Sequence, residues 1–298
     1  MEQTESKQAI KFDYFNIFDY IGKIKLCKDI NEHALYSEME YMNYMNKLIS
    51  FDSKEIDLFL INTFYRELRD SNLIEDNIIY PEEVLNGDVY LDNFNISDAR
   101  IKKIHNFATR GTCPYEYRTN EVWVSAIRGL KEHIFWYGAK PEDIQKFIND
   151  FMELYKSDIF NDNIFLKCAL IHLIFIRIHP FKDGNGRTCR LITNMKFAEM
   201  TNSLCGHNFK ISPLHLSHSI YRNRAGYSKH IDNIYFDLDN FNNDDLNKWF
   251  EFMLRMYDEQ LYYMGNRLTK SGKVLKKAIK LEEQGMNNIE ISKTITLK

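Results

Sequence analysis

The run Ile164–Ile178 is apolar on nearly every side and lies between Asn163 and His179-Pro180. Such a helix has no polar face to offer water, so the rest of the chain must surround it. Lys167, His172 and Arg177 interrupt the run, which is too short and too polar to span a bilayer. Pro180 stops it. A chain of 298 residues can supply the surrounding layers. Only 12 glycines and 5 prolines punctuate it, which favours helices over many short strands joined by tight turns.

The flanking sequence fits that expectation. Ser53 is placed to cap a helix from Lys54 to Arg69, and a shorter helical piece is expected from Asp70 to Glu75. Asn77 to Asn95 carries Pro81, Asn86-Gly87 and Asp92-Asn93 and reads mostly as loop. Helices are expected at Ala99–Thr109, after Lys140-Pro-Glu-Asp143, and from about Asn185 to Met200. Further helix is expected at Leu214–Ile234, Asp244–Met264, Gly272–Gln284 and Asn288–Ile295. Glu121-Val-Trp-Val124 and His133-Ile-Phe-Trp-Tyr137 are aromatic, β-branched and bounded by turn residues, so they predict one hairpin in an otherwise helical protein.

Bulk properties exclude some classes of function. The formal net charge is -3, which gives no general reason to expect nucleic-acid or membrane binding. Cysteines 27, 113, 168, 189 and 205 are odd in number, irregular in spacing and without a CxxC, which suits reduced thiols in the cytoplasm. The first residues, MEQTESKQAIKF, contain no apolar stretch like a signal peptide.

Chemistry concentrates in His179-Pro-Phe-Lys-Asp-Gly-Asn-Gly-Arg-Thr-Cys-Arg190. His179 ends a rigid helix, and Phe181 can plug back into the core. Asp183 is a free carboxylate at a turn. Gly184 and Gly186 allow a sharp turn and close approach by phosphates. Their N–H groups and that of Asn185 open the next helix, a natural anion site. Arg187 and Arg190, three apart, share a helix face. The result is a phosphate cradle with a base on one side and a metal ligand on the other.

This run resembles the Fic family signature HxFx[D/E]GNGRxxR and matches every specified position. The resemblance implies a mainly α fold: a Fic-type helical bundle with one β-hairpin flap, an N-terminal helical region and a C-terminal helical tail. It divides the chain into residues 1–96, with an inhibitory helix near 70–77, a catalytic core at 97–240, and a C-terminal region at 241–298 that resembles the start of a helix-turn-helix. It implies transfer of AMP from ATP to a Ser, Thr or Tyr hydroxyl of a protein, including automodification. His179 would be the general base, with an ordinary pKa near working pH, and Asp183 would bind Mg²⁺ or Mn²⁺. Asn185 and the Gly184–Gly186 amides would hold the α-phosphate, Arg187 the β-phosphate and Arg190 the γ-phosphate. Lys182 would attract nucleotide, and Tyr227 would lie near the adenine. Val122, Trp123 and Val124 belong to the flap that pairs with the target. Similar Fic proteins also form dimers.

Ser71-Asn-Leu-Ile-Glu75 resembles the family's inhibitory motif, [S/T]xxxE[G/N], with Asp76 where Gly or Asn is usual. Ser71 and Glu75 share a helix face. The resemblance implies that Glu75 pairs with Arg190, occupies the γ-phosphate position and holds ATP in an unproductive pose. The same Glu75 could align water for removal of AMP. A further alternative is a DNA- or partner-binding regulator with a silent Fic fold. His215 and His218 are three apart, but no further ligand completes a metal set at a recognised spacing. His172 reads as a hydrogen-bonded core residue. Cys189 reads as inert, though a helix N-terminus can lower a thiol pKa.

Overall fold

The computed structural model describes residues 11–75, 94–128, 131–284 and 286. Its elements are α1 (Ile17–Gly22), α2 (Lys28–Ile49), α3 (Ser53–Ile74), α4 (Asp98–Ala108), β1 (Trp123–Arg128) and β2 (Lys131–Tyr137). They continue with a 3₁₀ turn (Pro141–Asp143), α5 (Ile144–Lys156), α6 (Ile164–Ile178), α7 (Asn185–Cys205), α8 (Leu216–Arg222), α9 (Arg224–Asn233) and α10 (Asn243–Glu283). The fold is therefore mainly α with a single hairpin among the described residues. No described helix is long and apolar enough to cross a membrane.

Every residue of α6 is buried, as its all-round apolarity requires. Asn163 caps it by accepting from the Phe165 and Leu166 amides. Helices α5, α7, α10 and α2 pack around it. Lys167 is buried in this helix, and its ammonium donates to the Leu154, Ser157 and Ile159 carbonyls at 2.9, 2.7 and 2.9 Å. Those carbonyls lie at and beyond the end of α5, where a helix favours a cation. The N-terminal segment joins the same core: Phe12, Phe15 and Tyr20 cluster with Phe147 and Phe236.

Four sequence-based boundaries are corrected. Asp52, not Ser53, caps α3, and it forms a capping box with Glu55. The piece from Asp70 onward is the last part of α3, where Asp70 and Ser71 are buried polar residues that face His218 and Arg190. The helix expected over 214–234 breaks at Asn223 into α8 and α9, and the helices expected at 244–264 and 272–284 merge in α10. Gly265 does not break α10. A Cβ there would come within 2.6 Å of the Tyr44 ring, so the glycine serves close packing of α10 on α2. The loop expected over 77–93, Asp76 and the helix expected at 288–295 lie outside the described residues.

The hairpin forms as expected. Its antiparallel register runs from Trp123 opposite Tyr137 to Arg128 opposite Lys131, with an irregularity between Val124 and Ser125.

Asp52→Ala should remove the side-chain half of the capping box at the start of α3, the carboxylate that accepts from Glu55 N. Urea unfolding should show a loss of about 1 kcal/mol, and an unchanged midpoint would refute the assignment.

Candidate functional site

The turn from α6 to α7 is built around a residue in the left-handed region. His179 ends α6 with φ 53° and ψ 57°. Arg118, from the segment before β1, clamps this bend. Its backbone N–H donates to Pro180 O at 3.0 Å, Nε to His179 O at 2.8 Å and Nη1 to Asn120 O at 2.8 Å, while Nη2 donates to Ala139 O. Gly138 leaves room for the clamp, since a Cβ there would stand 2.7 Å from Arg118 Nη2 and 3.0 Å from His179 Cβ.

Phe181 plugs the core as expected, fully buried, with the His105 ring stacked on it at 3.6 Å. His105 Nε2 lies 2.9 Å from Asp183 O and donates to it. Gly184 adopts φ 78°, and a Cβ there would meet Thr109 Cγ2 at 2.3 Å. Glycine is thus required twice over at this position. Asn185 has a part in the loop itself. Its side chain is buried, accepts from the Phe181 amide at 2.9 Å and donates to the Phe181 carbonyl at 2.7 Å. It closes the loop, which leaves the anion contacts to backbone N–H groups.

His179 lines a cleft of about 480 Å³ with Glu75, Val124, Trp136, Gly186, Arg190 and Tyr227 among its walls. Its Nδ1 lies 3.1 Å from Ile176 O. A carbonyl only accepts, so Nδ1 carries the proton and Nε2 is left as the acceptor. Burial pushes the imidazole pKa down to about 4, partly opposed by the bond to Ile176. The expectation of an ordinary pKa is corrected accordingly: the ring is neutral at neutral pH, though a weaker base.

The Asp183 carboxylate is 68% exposed; it accepts from Gly184 N at 2.6 Å and from Arg187 Nη2 at 3.2 Å. Arg187 is buried, and its Nε has no hydrogen-bond partner among the described residues. Arg190 is fully enclosed. Its Nε donates to Ser71 Oγ, and Nη2 donates to both Ser71 O and Glu75 Oε1, each at 2.8 Å. Glu75 Oε1 also stands 2.3 Å from where a Gly186 Cβ would be, so the carboxylate sits on the glycine turn itself.

Other expected residues separate. Tyr227 lines the cleft and its hydroxyl bonds His172 Nε2 at 2.7 Å, while Lys182 is exposed and not part of the cleft wall. Val124 faces the cleft, Trp123 is exposed and Val122 holds Gly138 N through its carbonyl. Burial raises the Cys189 thiol pKa, so the helix N-terminus does not activate it. Sequence reasoning gave no role to Arg118, His105 or Gly138. His105 lay within the helix expected over 99–109, but nothing in a linear motif signals a side chain that reaches a distant carbonyl.

The fold is a helical bundle whose buried central helix delivers His179 to a glycine-turned loop that carries Arg187 and Arg190. Residues 95–196 match the model of the Fic/DOC family. The protein adenylyltransferase Fic of Nematostella vectensis is 38% identical over 100 residues, which is 32% of this chain and 21% of that protein. The ribonucleoside-diphosphate reductase small chain of Ostreid herpesvirus 1 is 31% identical over 120 residues, 40% of this chain and 18% of that one. The chain therefore spans about a fifth of each of these curated relatives. A Fic family protein from Desulfovibrio desulfuricans G20 shares the fold with a TM-score of 0.58 at 17% identity, over 81% of this chain and 75% of that one.

His179 should titrate near pH 4 when followed by NMR of its ring signals, because burial disfavours the cation. A midpoint at or above the ordinary value of about 6.5 would contradict the enclosed geometry.

Proposed function

We propose that this protein transfers AMP from ATP to a hydroxyl side chain of a protein and that Glu75 restrains the reaction. The observation that carries this reading is the meeting of four groups in one cleft: the acceptor Nε2 of His179, the glycine turn, the guanidinium of Arg190 and the Glu75 carboxylate resting on both.

The target oxygen attacks the α-phosphorus, its proton passes to His179 Nε2, and the bond to the pyrophosphate oxygen breaks. The amides of the 184–186 turn take the α-phosphate at the N-terminus of α7. Arg187, with its unpartnered Nε, takes the β-phosphate, and Arg190 takes the γ-phosphate once Glu75 withdraws. Asp183 suits Mg²⁺ or Mn²⁺, since it presents an exposed carboxylate beside the phosphate-facing Arg187; the bound ion would neutralise phosphate charge. Most of the acceleration comes from groups already in position. The hairpin offers main chain to an extended target segment, in the manner of strand addition.

Glu75 and His179 line the same cleft, which also favours a second use of the site, alignment of water by Glu75 to remove AMP from a modified protein. Release of AMP from a labelled target, lost in Glu75→Gly, would establish that direction.

With ATP labelled at its α-phosphate and Mg²⁺ present, Glu75→Gly should raise label on protein about tenfold, the equivalent of about 1.4 kcal/mol. His179→Ala should lower it by about 100-fold or more. Equal labelling in all three proteins would defeat the proposal.

A further inference from the structure

The two histidines that lacked a third ligand in the sequence acquire one in the fold. Asp70, from α3, meets His215 at the cap of α8 and His218 in its first turn, and the three ligand atoms lie within 4.8 Å of one another. His218 Nδ1 is 2.9 Å from Asp70 Oδ2, and His215 Nε2 is 3.4 Å from the same oxygen. Asp70 is 1% exposed and His215 5%.

A cluster held only by hydrogen bonds explains part of this arrangement. It accounts for His218, whose Nδ1 donates to the carboxylate. It leaves His215 Nε2 buried, aimed into the cluster and without a hydrogen-bond partner. A buried ring nitrogen without a partner is costly. A cation bonded to all three atoms would satisfy it and replace the Nδ1 proton of His218. For bonds of about 2.0–2.1 Å, tetrahedral ligands stand about 3.3 Å apart, close to the 2.9 and 3.4 Å from the two histidines to Asp70 Oδ2. Arg69 Nε donates to Asp70 Oδ1 at 2.7 Å, which orients the carboxylate and leaves Oδ2 for the metal, as outer partners of ligating carboxylates do.

We propose that Asp70 Oδ2, His215 Nε2 and His218 Nδ1 form a three-ligand site for a divalent cation of the zinc type, which clamps α3 to α8. Two imidazoles with one carboxylate select such an ion over Mg²⁺ or Ca²⁺, whose ligands are oxygens. The fourth position opens to solvent beside His218, whose side chain is 27% exposed. Arg66 and Arg267 act on His215 as positive neighbours, which weakens the hold on a cation. The site is separate from the Asp183 carboxylate and independent of the transfer reaction proposed above.

The test uses metal-stripped full chain carrying Asp183→Ala, so that the loop carboxylate does not compete. Zn²⁺ is titrated against a chromophoric chelator, and Co²⁺ is followed by visible absorption. One equivalent should bind, with the absorption of four-coordinate Co²⁺ and a higher midpoint of thermal unfolding. Asp70→Asn and His218→Ala should each weaken binding about tenfold or more. His218 is partly exposed, so His218→Ala should keep the fold, which circular dichroism checks. Absence of stoichiometric binding, or binding equally tight in the parent and in folded His218→Ala, would overturn the site.

Discussion

The Arg190 guanidinium is 1% exposed and always charged, so the protein must supply every partner that water no longer can. Ser71 and Glu75 do so with three hydrogen bonds from the end of α3. Removing one partner of a buried pair leaves an uncompensated charge, at about 3–5 kcal/mol. Helix α3 is therefore tied to the loop, or else an anion of comparable charge must replace Glu75. In the proposed function that anion is the γ-phosphate, and competition for one guanidinium sets whether the site acts.

The rest of the loop is held so that only this contact needs to change. Arg118 fixes the carbonyls of His179 and Ala139, His105 fixes that of Asp183, and Asn185 bridges both polar groups of Phe181. These bonds keep His179 in a left-handed conformation that a non-glycine residue rarely adopts unaided. The Arg187 Nε is left without a hydrogen-bond partner among the described residues. Preorganisation of this kind favours a polyanion without rearrangement of the backbone.

Much of this was legible in the sequence, because its signals were local. The all-apolar run gave the central helix, the aromatic pairs gave the hairpin, and HPFxDGNGRxxR gave the loop. The motif at Ser71 and Glu75 gave a pair 115 residues apart in sequence. What remained hidden depended on distant contacts. Asp70, Ser71 and Asn72 looked like the end of a helix because three polar residues in succession usually face water. Asp70 and Ser71 are buried since His215 and His218, at the start of α8, and Arg190, on α7, meet them there. Arg118 resembled any basic loop residue, and Gly265 resembled a helix breaker rather than a seat for the Tyr44 ring. The depressed pKa of His179 is likewise a property of enclosure, which no spacing reveals.

Calorimetric titration of ATP and of AMP, in a His179→Ala background with and without Glu75→Ala, tests most directly whether Glu75 and the γ-phosphate compete for Arg190. Removal of Glu75 should tighten ATP about tenfold and leave AMP, which has no γ-phosphate, unchanged. Equal gains for both nucleotides, or no gain for either, would contradict the competition.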